Sequence, residues 1–533
     1  AHFALPSGAE VSLVDVPGHI RFISNMLAGI GGVHGALLVV DAREGWMPQT
    51  EEHLRILELA GVSAGLVVIS RIDRTDADTV EITEAEVRER TRGTFLDDAR
   101  IVRVSATTGE GLDSLLDALE VLVTDTSDSD DLGRARLFVD RVFSAKGSGT
   151  VVTGTLTHGS LAVGQSLDVV PNGVTCRIRA LQVHGRPVDR VGPGFRVAVN
   201  LSGVDVESLR RGCAVVVPER WHTTVVADAS FTALPSLDHE VSRRGAHSIH
   251  IGSDESAVRV RILGDDAIRP GGTGFVRLHL AHRLPLVIGD RFVLRESGRD
   301  ETVGGGVILD VDPVEPAARA RPVVEPESNR SRIVRERAWL STRDFERLTG
   351  ARRKPDVGDW IVDPEVLART RRSLTIRIAE AGAIGLETSS LDDRERAVLD
   401  SLDEFVVDSG RARPRDTVDP LMSHPVIDRL HRGGCAPPSP DGISTGELRR
   451  LQKAGLLFER DGEWFHTAAL AIAADAARRL LAASPEGFTM SQFRETLGIT
   501  RKHAVPLATE LDQRGITRRR DDVRIAGPRL DAR

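Results

Sequence analysis

The run Val14-Asp15-Val16-Pro17-Gly18-His19 brings an acid, a glycine and a histidine together at the end of an apolar stretch. Those residue types suit phosphate and magnesium chemistry. A carboxylate can hold a metal-bound water, a glycine can offer its bare N–H to a terminal phosphate, and an imidazole can orient an attacking water. Asp15 is read as the Mg2+ contact through water, Gly18 as the phosphate contact and His19 as the catalytic group. Two further polar strand ends follow, Ser70-Arg71-Ile72-Asp73 and Ser105-Ala106, and Asp140, Arg141 and Arg196 stand out as charges within β-like runs. Near the carboxyl end Arg501 and Lys502 open a helix-like segment, where cations oppose the macrodipole, and Arg518, Arg519, Arg520 and Arg524 lie about a turn. A polyanion beside these groups would relieve the misplaced charge.

The elements that must position these residues change character along the chain. Residues 11–16 read as a buried strand, forming a hairpin with Phe3-Ala4-Leu5 across the Pro6-Ser7-Gly8 turn, and 25–30 as part of a helix. Residues 35–41, 65–69 and 101–104 read as further strands, and 50–60 as a helix stopped by Gly61. Such alternation implies a parallel sheet covered on both faces, with its polar strand ends on one edge. A polar linker at 126–133 leads to short strands that predict one small barrel to about Val217 and a second from about His222 to Asp312. Within the first, Lys146-Gly147-Ser148-Gly149-Thr150 reads as hairpin chemistry. Past a Pro- and Glu-rich connector the pattern turns helical. A helix at 444–454 precedes strand-like residues around the Asp461-Gly462 turn. At the end, a helix at 488–497, a Gly498-Ile499 turn, a second helix capped by Thr500 and a hairpin at 516–525 describe a winged helix, with 340–362 as another copy. Pro506 falls inside the last helix, a kink that packing must tolerate.

The motifs D-V-P-G-H, S-R-I-D and S-A-T at these spacings resemble the G domain of translational GTPases. The resemblance implies GTP and Mg2+ as cofactors. It also implies that Asp73 pairs with the guanine ring and that Ser105 and Ala106 reach its O6 through backbone. Ser70 and Arg71 share that loop, Ser70 standing where the family has a bracing Asn. The segments F-V-D-R-V-F-S-A-K-G-S-G-T and G-F-R-V-A-V-N-L-S-G resemble the selenocysteine-specific branch, SelB. There the residues matching Asp140, Arg141 and Arg196 line the aminoacyl pocket, where guanidinium groups would favour an anionic selenolate over a serine hydroxyl. The segment F-T-M-S-Q-F-R-E-T-L-G-I-T-R-K resembles the branch's terminal winged helix, which grips an mRNA hairpin. That implies RNA contacts from Arg501, Lys502, Arg518, Arg519, Arg520 and Arg524, steeply weakened by salt.

The fold expected is multidomain: an α/β P-loop-type G domain without its first strand at 1–125, then β-barrels at 134–218 and 219–312. Winged-helix-like units would follow at 328–400 and 401–470, and a terminal RNA-binding winged helix at 471–533. No G-x-x-x-x-G-K-[ST] occurs in the sequence. The resemblance therefore places the family's phosphate loop before Ala1, and GTPase activity is expected of the complete protein rather than of the chain as given. The function implied is delivery of selenocysteyl-tRNA to the ribosome at a recoded UGA, tethered to an mRNA hairpin, by a cytoplasmic monomer. A general translational GTPase with an unrelated tail and a non-enzymatic RNA- or DNA-binding winged-helix protein are the alternatives. No window approaches the roughly 18 apolar residues of a membrane span. The 3 cysteines show neither metal-ligand spacing nor a disulfide framework. A net charge of −8 gives no global nucleic-acid signal, so such contacts must be local.

Overall fold

The computed structural model describes residues 2–16, 33, 35–125, 130–145, 149–417 and 419–530. It forms two compact bodies, 1–363 and 364–533. In the first, β1 (His2–Ala4) and β2 (Glu10–Ser12) make a hairpin. The parallel sheet is three-stranded, in the order β3 (Ala36–Asp41), β4 (Gly65–Ser70), β5 (Ile101–Arg103). Between these strands run α1 (Pro48–Ala60) and α2 (Ala77–Thr91), and α3 (Leu112–Asp125) follows β5. Pro48 starts α1 where its missing N–H costs nothing, and Gly61 ends it at φ 80. Leu38, Val40 and Val67 pack with Leu54 and Val87 on one face of the sheet, and Leu66, Val68 and Val102 with Ala118 and Leu119 on the other.

The expected strand 11–16 is corrected to three residues. Leu13 and Val14 are 41% and 42% exposed, and Asp15 is exposed and lies beyond β2 rather than at a strand end of the parallel sheet. A strand exists only where it finds a partner, and here the partner is β1. The hairpin leans on the first barrel, with the Ser12 hydroxyl 2.6 Å from His184 Nε2 and a Glu10 carboxylate oxygen 3.0 Å from its Nδ1. The helix expected at 25–30, Gly18 and His19 lie outside the described residues.

The first barrel uses β6 (Arg136–Phe138), β7 (Arg141–Ala145), β8 (Gly149–Thr157), β9 (Ser166–Val170), β10 (Val174–Val183), β11 (Arg196–Ser202) and β12 (Ala214–Val216). Its ring runs β9-β12-β6-β8-β11-β10 and closes between β10 and β9, with β7 added beside β8. The β7–β8 pairing is the hairpin read from the sequence. The second barrel closes as β13 (His222–Ala233), β16 (Thr273–Leu286), β15 (Asp254–Leu263), β14 (His247–Ile251), β17 (Arg291–Glu296) and β18 (Glu301–Asp310). Residues 328–363 do not start a separate unit. Ile333, Val334, Leu340, Phe345 and Ile361 are buried in one core with this barrel.

In the second body, α4 (Pro364–Ala381) and α5 (Asp393–Asp400) accompany the hairpin β19 (Phe405–Asp408) and β20 (Arg411–Pro414). The helices α6 (Pro425–Gly433) and α7 (Thr445–Lys453) lead into β21 (Leu457–Arg460) and β22 (Glu463–His466). Ser444 and Glu447 form a capping box on α7, and Asp461 and Gly462 turn the hairpin at φ 54 and 82. After α8 (Ala468–Ala483), the terminal winged helix is β23 (Phe488–Thr489), α9 (Met490–Leu497), α10 (Arg501–Gln513), β24 (Thr517–Arg520) and β25 (Val523–Ala526). Its sheet order is β23-β25-β24. The sequence reading started α9 too early, because Phe488 and Thr489 pair with β25. Thr500 takes the backbone geometry of a helix cap, but its side chain makes no capping bond.

Candidate functional site

The polar ends of β3, β4 and β5 converge on one edge, since Asp41 pairs in register with Ser70 and Ile69 with Arg103. Asp73 sits in a single helical turn after β4. The hydroxyl of Ser105, itself fully buried, donates to Asp73 Oδ1 at 2.7 Å, and Arg74 Nε lies 3.2 Å from Oδ2. Ser105 also accepts from the Thr108 N–H at 3.1 Å, which fixes the loop that carries Ala106. Ser70 donates from its hydroxyl to the Val40 carbonyl at 3.3 Å. Arg71, held at φ 56, reaches back to Asp41 at 2.7 Å. The braced carboxylate stands at the carboxyl edge of the parallel sheet, where open α/β sheets bind their ligands. The bracing by Ser105 through its side chain and the Asp41–Arg71 pair are features the sequence reading missed. An acid closing β3 was the available signal for the second.

Asp140 is corrected from mid-strand to a break between β6 and β7, and Arg141 from mid-strand to the first residue of β7. Val139 makes the break firm: its N–H donates to the Cys213 carbonyl (2.8 Å), and its own carbonyl accepts from the Gly212 N–H (3.0 Å) and the Ser253 hydroxyl (2.6 Å). Gly252 permits this approach, because at φ 57 an added Cβ would lie 2.4 Å from the Phe138 ring. From the break, Asp140 ion-pairs with Arg196 on β11. Arg141 stands directly across from Thr153 on β8, exposed and with no ion-pair partner among the described residues. The structure thus brings the expected Asp140, Arg141 and Arg196 to neighbouring strands of one barrel.

Asp140 also lines a cavity of about 390 Å³ between the two barrels and the end of α1, beside His158, His250 and Asp290. Arg136 crosses its wall and bonds Asp290 through both oxygens at 2.7 Å, while stacking over Trp221 at 4.5 Å. Burial alone would raise the Asp290 pKa, but the guanidinium of Arg136 outweighs it and holds the carboxyl below its ordinary range. Burial pushes His158 and His250 down to about 4, so both are neutral at pH 7.

On the terminal winged helix Arg501, Arg518, Arg519 and Arg520 are exposed. Lys502 lies 2.9 Å from Glu463 at the start of β22. Arg524 is corrected as a surface cation: its side chain is 11% exposed and its Nε sits 3.0 Å from Asp512. The hairpin β21–β22 shares a core with this domain, Phe458 and Phe465 packing with Phe488, Phe493, Leu507 and Leu511.

An α/β domain with its polar strand ends on one edge, two antiparallel barrels and a terminal winged helix define a multidomain protein of the nucleotide-binding α/β class. Residues 5–125 match the elongation factor Tu GTP binding domain, and 149–216 match elongation factor Tu domain 2. Residues 230–315 match the β-barrel domain of selenocysteine-specific elongation factor, and 479–526 the winged helix of elongation factor SelB. A selenocysteine-specific elongation factor from Desulfomicrobium baculatum is 39% identical over 310 residues, covering 58% of this chain and 49% of that protein. Elongation factor Tu 2 from Streptomyces avermitilis is 33% identical over 319 residues, covering 56% of this chain and 80% of that protein. The crystal structure of bacterial selenocysteine-specific elongation factor EF-Sec superposes with a TM-score of 0.70 over 99% of this chain and 92% of that one; at 24% identity this is a likeness of fold. The chain belongs to the elongation factor Tu family of translational GTPases, in its selenocysteine-specific (SelB) branch. It spans about half the length of its curated selenocysteine-specific relatives. Among the described residues no helix is long and apolar enough to cross a membrane.

Proposed function

We propose that the full-length protein carries selenocysteyl-tRNA to the ribosome at a recoded UGA, anchored to an mRNA hairpin by its terminal winged helix, as a cytoplasmic monomer. The observation that carries this reading is the barrel site holding Asp140, Arg141 and Arg196. With one carboxylate and two guanidinium groups it is cationic on balance, and it suits a selenolate, which is anionic at neutral pH. A serine hydroxyl offers such a site no charge. GTP, when bound with Mg2+, would supply the phosphoanhydride whose hydrolysis governs release. Asp73, braced by Ser105, would accept from the guanine N–H groups, and Asp15 would hold Mg2+ through water, with Gly18 and His19 serving the phosphate and the attacking water.

Filter binding of full-length protein to selenocysteyl- and seryl-tRNA of the same body tests the proposal. A preference of about 10- to 100-fold at pH 7 is expected from charge-assisted hydrogen bonds. Equal affinities would refute it.

A further inference from the structure

Thr153 is absent from the residue set above, yet it lies at the centre of the face that carries them. On β8 it is cross-strand from Arg141 on one side and from Ala198 of β11 on the other, and Arg196 stands opposite its near neighbour Thr155. Directly opposed residues of antiparallel strands project to the same face of a sheet. Thr153 Oγ1 donates to Asp140 Oδ1 at 2.5 Å, and the Asp140 N–H donates to the Thr153 carbonyl at 2.9 Å. The other carboxylate oxygen of Asp140 is the one paired with Arg196. Asp140 is therefore clamped between a hydroxyl and a guanidinium, while Arg141, the next residue, keeps its charge unpaired among the described residues.

From this we infer that Thr153 is a positioning residue for anion selection: its hydroxyl holds the Asp140 carboxylate toward Arg196 and away from Arg141. The inference rests on the selenocysteine reading of this site. Asp140 is ion-paired with Arg196, and its neighbour in the chain, Arg141, is the other cation of the site. If it turned to Arg141, the site would lose the one guanidinium free to meet an incoming anion. A hydroxyl donor on the middle strand fixes which cation is neutralised. A methyl in its place would leave Asp140 free to share its charge between the two.

The test compares Thr153→Val, which keeps the shape and removes the donor, with Thr153→Ser, which keeps the donor, in the full-length protein. The readout is the ratio of affinities for selenocysteyl- and seryl-tRNA between pH 4 and 8. Thr153→Val is expected to lower the preference about tenfold at pH 7 and to flatten its pH dependence, with seryl-tRNA affinity unchanged. Thr153→Ser is expected to stay within about threefold of the unsubstituted protein. A preference that survives Thr153→Val, or a loss of affinity shared equally by both tRNAs, overturns the positioning role alone. Equal binding by the unsubstituted protein overturns the function proposed for the site and this role with it.

Discussion

Glu463 on β22 faces the start of α10 in the terminal winged helix, and replacing it with Gln should strengthen RNA binding. Four cations are exposed there without it, Arg501, Arg518, Arg519 and Arg520, while Lys502 is occupied by Glu463 at 2.9 Å. Each neutralised phosphate contributes about −0.7 to −0.9 to the slope of log affinity against log salt. Four contacts give a slope of about −2.8 to −3.6, so affinity for a hairpin should fall roughly 50- to 150-fold from 50 to 200 mM salt. Glu463→Gln frees Lys502 to meet a fifth phosphate and should steepen the slope by about 0.7 to 0.9, with tighter binding at low salt. Fluorescence anisotropy with a labelled RNA hairpin, repeated across that salt range, measures both quantities. Arg524→Gln is the contrasting variant. Because Arg524 is committed to Asp512, its loss should leave the slope within about 0.3 of the unsubstituted value. If Arg524→Gln flattens the slope as much as Arg519→Gln does, or Glu463→Gln leaves it unchanged, the charge assignment on this surface is wrong.

The remaining predictions concern the barrel junction. Arg136→Met should destabilise the first body by about 3–5 kcal/mol in denaturant unfolding, because it strands the buried carboxylate of Asp290. Adding Asp290→Asn should recover most of that loss, and additive effects would refute the pairing. His158 and His250 are neutral in the folded protein because burial lowers both to about 4. As pH falls below the ordinary histidine value near 6.5 the unfolded chain takes up protons first, so stability is lost from there down to about pH 4. At pH 5 the cost is about 2 kcal/mol per histidine, and His158→Gln with His250→Gln should narrow the difference between melts at pH 7 and pH 5; an unchanged difference would refute the assignment.

Apolar runs ending in polar residues revealed the parallel sheet, because strands buried on both faces have little room for anything else. The same signal overextended β2. Residues 11–16 are apolar enough for a strand, but hydrophobicity reports a tendency to be buried and says nothing of which backbone is available for pairing. Asp140 shows the converse failure. Its break is imposed by Cys213, Gly212 and Ser253, which are distant in the sequence, so no local pattern around residue 140 could have announced it. Ile333 and Phe345 lie on helix-like segments with a buried face, and periodicity could not say that the face belongs to the second barrel.

The arginines of the wing make the sharpest case. Arg519 and Arg524 are directly opposed on β24 and β25, yet Arg519 is exposed and Arg524 folds onto Asp512. Residue type made them equal candidates for a phosphate. What separates them is a carboxylate twelve positions earlier, on the helix that the wing packs against. Charge read along a strand therefore overcounts the cations a ligand can meet, and only the placement of the acids corrects the count. The same reasoning applies to the barrel site, where Asp140 takes up Arg196 and leaves Arg141. In both places it is an acid that decides which basic group stays free.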